Sequence, residues 1–71
     1  MKPVVFGLVG TGWRAEFFIR IARLVPDRFV LAAVYTRTSE KAAELAASGL
    51  RAVTDWDAFA AVPMDFAVVS V

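Results

Sequence analysis

The stretch Phe29–Tyr35, "FVLAAVY", runs seven residues without a charge, an amide or an aliphatic hydroxyl. A strand with one wet face alternates apolar and polar residues. A strand apolar throughout has to be covered on both faces, which is the situation in a parallel sheet. Val4–Val9 has the same character, and so does 66–71, "FAVVSV", apart from Ser70. Residues 50–53 form a shorter and weaker version.

Helical patterns separate these runs. Over 13–25, Phe17, Ile21 and Leu24 fall at i, i+4 and i+7, flanked by Phe18, Ala22 and Val25. This spacing predicts a helix with that stripe as its apolar face, Arg20 and Arg23 facing away and Glu16 paired with Arg20. Pro26-Asp27 ends it. Thr38 reads as the N-cap of a second helix, with Gly49 just past its end and Ala42, Leu45 and Ala46 as a narrow apolar stripe. Asp55 caps a short third helix through 61, stopped by Pro63. The order β-α-β-α-β-α-β predicts an α/β fold: a parallel, doubly wound sheet with right-handed crossovers and its first four strands in spatial order 3-2-1-4.

Between the first strand and the first helix stands Gly10-Thr11-Gly12-Trp13-Arg14-Ala15. It reads G-x-G-x-x-A in the context that gives this motif meaning, a strand before and a helix after. Gly10 permits a tight turn. Gly12 lacks a Cβ, so a pyrophosphate can approach the main chain. Ala15 is small enough for the helix to pack on the strand. The first amides of the helix and its dipole then favour the phosphate charge. A glycine-rich turn that binds no nucleotide is the bland alternative, and Thr11 and Trp13 can equally serve as turn and packing residues.

An acid about 20 residues past such glycines usually binds the ribose hydroxyls of NAD or FAD. Here the second strand ends Tyr35-Thr36-Arg37-Thr38-Ser39, with no acid before Glu40. Arg37 can pair with a 2′-phosphate and lay its plane on adenine, while Thr36, Thr38 or Ser39 can donate hydrogen bonds. The expected cofactor is therefore NADP, with NAD as the alternative; the missing acid weighs against FAD and S-adenosylmethionine. The bland reading makes Arg37 a loop arginine and Thr38 a cap only.

Composition narrows the remaining classes. The sequence has no Cys, His, Asn or Gln, so it offers no disulfide framework, no thiolate or imidazole metal ligand and no histidine base. Eight basic and seven acidic residues are spread along it without a basic face, so nucleic acid is not an expected partner. Lys2 before an apolar run superficially resembles a signal peptide, but Trp-Arg-Ala-Glu follows instead of a small-residue cleavage site. No stretch approaches the roughly 20 apolar residues a membrane span requires. A cytoplasmic setting is expected. With 71 residues the core is marginal by size.

"VVFGLVGTGWRAEFF", "VLAAVYTRTSEKAAELA", "AVTDWDAFA" and "DFAVVSV", in this order, resemble the N-terminal half of the glucose-fructose oxidoreductase, inositol dehydrogenase and rhizopine catabolism (Gfo/Idh/MocA) family. The resemblance covers essentially the whole chain. It implies the first part of a Rossmann domain that would be followed by a C-terminal substrate domain, and an NAD(P)-dependent oxidoreductase acting on a sugar, polyol or related small molecule. It further implies a homo-oligomer formed through that second domain. Gly10, Thr11, Gly12, Trp13 and Arg14 would lie along the pyrophosphate and towards the nicotinamide. Thr36 stands where many members carry the ribose-binding Asp, a departure that favours NADP. The family's catalytic lysine, in a Glu-Lys-Pro motif, follows the fifth strand, so residues 1–71 would supply the cofactor part and no catalytic residue. The functional alternative is a non-catalytic NADP sensor or scaffold.

Overall fold

A computed structural model describes residues 2–10 and 13–69, the side chains of Trp13 and Arg14 excepted. Thr11, Gly12, Ser70 and Val71 lie outside the described residues. Four strands, β1 (Val4–Val9), β2 (Phe29–Tyr35), β3 (Ala52–Val53) and β4 (Phe66–Val69), form one sheet in the order β3-β2-β1-β4. Every pairing in it is parallel. Helices α1 (Trp13–Leu24), α2 (Ser39–Ala47) and α3 (Trp56–Ala60) connect them. The β3 ladder is two residues long, shorter than the apolar run at 50–53 suggests.

Alternation along β1 separates two cores. Phe6 and Leu8 point to one face, where Ala15, Phe18, Ile19 and Ala22 of α1 and Leu45 of α2 meet them. Gly7 and Val9 belong to the other face, with Phe59 of α3, Val62 and Met64. Gly7 is what lets α3 settle there: a Cβ at this position would stand 2.7 Å from the Phe59 ring and 2.8 Å from the Met64 sulfur. Leu8 and Val34, each fully buried, anchor the first core. Phe6 stacks on Phe66 of β4 at 5.9 Å and meets the edge of Phe29 at 6.5 Å.

A bulge in β2 shifts its register against β1. Phe6 lies opposite Leu31 and Gly7 opposite Ala33, which leaves Ala32 as an extra residue. One inserted residue reverses which side chains face which core. Phe29 and Leu31 pack on the α1 side, but beyond the bulge it is Val34 that does so, while Ala33 and Tyr35 face α3.

The α1 stripe differs from expectation. Phe17 and Leu24 are 61% and 73% exposed, and the buried face consists of Ala15 with Phe18, Ile19 and Ala22. Two alanines on that face bring the helix close to Leu8 and Val34, whereas the Phe17–Leu24 side would hold it off. Glu16 does not pair with Arg20; among the described residues the ion pair is Lys41–Glu44 at 3.4 Å. Arg23 instead donates to the Ser48 carbonyl at 3.0 Å, tying the end of α1 to the end of α2. On α2, Ala46 is exposed, and Leu45 alone of the expected stripe reaches the core.

The amino edge of the sheet is closed by Asp65. Its carboxylate accepts from the Val5 N–H at 2.8 Å and its own N–H donates to the Val5 carbonyl at 2.6 Å, fixing β4 against β1.

Candidate functional site

The glycine turn leaves β1 at the carboxyl edge of the sheet. Gly10 has φ +95°, a conformation that L side chains rarely adopt, and α1 begins three residues later. A Cβ here would cost about 1–2 kcal/mol in backbone strain. The Gly10 N–H donates to the Tyr35 carbonyl at 2.9 Å, so the turn is fastened to the end of β2.

The chain crosses the α1–α2 face on the way from β1 to β2 and β3. It returns across the α3 face to β4, on the other side of β1. Strand order therefore reverses at β1, and in open parallel sheets the crevice outside the carboxyl ends at such a reversal is where ligands sit. Gly10 stands at that point. The backbone of Trp13 and Arg14 opens α1 beside it.

The end of β2 supplies the neighbouring groups. Thr36 is 4% exposed, and its N–H donates to the Val53 carbonyl at 3.0 Å. It lies beneath the surface, while Arg37, Thr38 and Ser39 are exposed. The Arg37 side chain makes no hydrogen bond or ion pair among the described residues. Thr38 is the N-cap of α2: its backbone is extended, and its hydroxyl oxygen accepts from the Lys41 N–H at 3.3 Å. That leaves its hydroxyl proton available to a ligand. Asp55 likewise caps α3, accepting from the Ala58 N–H at 3.3 Å.

Thus Gly10, Thr36, Arg37 and Thr38 converge on one edge of the sheet, with the start of α1. Trp56 was not among the residues the sequence singled out. It opens α3, directly after the capping Asp55, and its ring lies 5.2 Å from that of Tyr35 and 5.5 Å from that of Phe59. An aromatic residue placed immediately after a helix cap was the only sign of it. Among the described residues no cluster of three or more acidic side chains could hold a metal ion, and no helix is long and apolar enough to cross a membrane. Comparison with protein-family models, curated proteins and solved structures gave no match.

Proposed function

We propose that this chain holds the adenosine and pyrophosphate of a nicotinamide dinucleotide, with NADP preferred over NAD, for an oxidoreductase acting on a sugar, polyol or related small molecule. The observation that carries the reading is Gly10: a left-handed turn at the carboxyl end of the central strand, where the strand order reverses and a helix begins. The residues present suit the group. The turn brings bare backbone and the first amides of α1 to one place, and the helix dipole favours an anion there. Arg37 is exposed at the end of β2, where a ribose 2′-phosphate would need a cation. Thr38 can add a donor while still capping α2.

When bound, the nicotinamide would supply the hydride chemistry. The part of these residues is to bind and orient: the Gly10 turn positions the pyrophosphate, and the hydroxyls and guanidinium after β2 fix the adenosine end.

Calorimetric titration with NADP and NAD tests the proposal. The native chain should bind both, NADP more tightly. Gly12→Val should abolish binding with a modest change in melting temperature, because by the motif its side chain occupies the pyrophosphate position. Unchanged affinity in that variant, or no binding by the native chain, overturns the reading.

A further inference from the structure

Trp56 is a large aromatic residue that stays 52% exposed while its ring is held in place. It meets Tyr35 edge-on, with 86° between the planes, and leans on Phe59 at 31°. Tyr35 in turn meets Phe59 at 6.1 Å, so three rings brace one another. Phe59 is buried and packs beside Ala33 and Val62, which fixes the base of the group. The Trp56 ring packs on two neighbouring rings, and the rest of its surface faces water.

Its place on the sheet suggests what the free part takes. The carboxyl ends follow in the order β4, β1, β2, β3, with Val9 opposite Tyr35 and Tyr35 opposite Val53. Trp56 is three residues beyond Val53. Tyr35 ends β2, one strand spacing of about 4.8 Å from β1, and Trp56 follows β3, the next strand out from the Gly10 turn. A pyrophosphate at Gly10 and a ribose phosphate at Arg37 on the end of β2 direct the attached purine onward towards β3. There a flat apolar base would find a flat apolar ring.

We infer that Trp56 is the stacking wall for the adenine of the cofactor, with Tyr35 and Phe59 as the residues that hold its ring in position. The inference rests on the dinucleotide reading given above. Stacking of a base on an aromatic side chain is worth about 1–3 kcal/mol, that is, close to tenfold to a hundredfold in affinity.

Titration of the native chain and of Trp56→Leu with NADP, 5′-AMP and inorganic pyrophosphate separates the possibilities. Trp56→Leu should weaken NADP and 5′-AMP by about tenfold to a hundredfold and leave inorganic pyrophosphate, which has no adenine, unchanged. Trp56→Phe, which keeps a ring, should retain most of the affinity. Because Trp56→Leu also removes packing from Tyr35, saturation-transfer NMR on the native chain gives a second readout: irradiation of the Trp56 indole should reach the H2 and H8 protons of 5′-AMP. Equal NADP affinity in Trp56→Leu, or absence of transfer while 5′-AMP is bound, overturns the stacking role and leaves the dinucleotide reading standing. A native chain that binds none of the three ligands overturns both.

Discussion

Arg37 and Gly10 divide the work of the proposed site. Gly10 shapes the main chain and cannot tell one dinucleotide from another, since every such cofactor carries the pyrophosphate. Arg37 is exposed, makes no hydrogen bond or ion pair among the described residues, and in the proposed site would meet the 2′-phosphate that distinguishes NADP from NAD. Arg37→Ala should therefore weaken NADP selectively. A charge-assisted hydrogen bond is worth roughly 1.5–3 kcal/mol, so the loss should be about tenfold to a hundredfold for NADP and much smaller for NAD. Binding curves for both cofactors decide it: equal losses would show that Arg37 does not read the 2′-phosphate. Thr38 is bound to a second duty. Its cap on α2 means that Thr38→Ala mixes a binding effect with a helix penalty of about 1 kcal/mol, which makes Arg37 the cleaner probe.

Among the elements, α1 is apolar on two sides, and periodicity alone does not rank them. Phe17, Ile21 and Leu24 form the larger stripe, yet the sheet takes Ala15, Phe18, Ile19 and Ala22. Two alanines among them allow the helix to approach the strands. This assignment predicts opposite responses on the two sides. Ile19→Ala should cost about 2 kcal/mol or more, as for other core truncations. Leu24→Lys should change stability by no more than about 0.5 kcal/mol, as for an exposed site. Urea unfolding of the two variants in dilute solution checks the contrast, and a comparable loss in both would mean that the other side is buried. The end of α2 is better determined. Leu50 donates to the Leu45 carbonyl and Gly49 to that of Ala46, and Gly49 takes φ +91°, so the helix closes in the paired-bond manner that glycine permits.

On the scale of the whole molecule, β3 and β4 are the two edge strands of the described sheet; β3 is 2 residues long, whereas β4 offers 4. Phe66 and Val69 of β4 are 46% and 67% exposed, and Phe17 and Leu24 add further apolar surface on α1. An open strand edge with apolar neighbours is a template for pairing with another chain. Purified residues 1–71 should therefore self-associate at micromolar concentration. Sedimentation velocity tests this, and a cooperatively melting monomer would contradict it. Val69→Lys should reduce the association, since an edge lysine discourages strand addition.

The parallel arrangement and the 3-2-1-4 order follow from the alternation of strands and helices through the crossover rules, and that alternation and the caps at Thr38 and Asp55 were legible from residues close together in the chain. Each follows from local chemistry: an unbroken apolar run, a hydroxyl or carboxylate before a helix, or a glycine where the main chain must turn left-handed. The buried side of α1, the extra residue at Ala32, the close fit of Phe59 over Gly7 and the meeting of Trp56 with Tyr35 were not legible. All four depend on which surfaces come into contact after the chain has crossed the sheet. The partners in those contacts are 7 to 52 residues apart, as between Leu8 and Ala15 or Gly7 and Phe59. Close packing, unlike periodicity, is a property of two surfaces at once. An apolar stripe tells a helix that it must be covered, but only the shape of the strands beneath selects the side with the smaller residues.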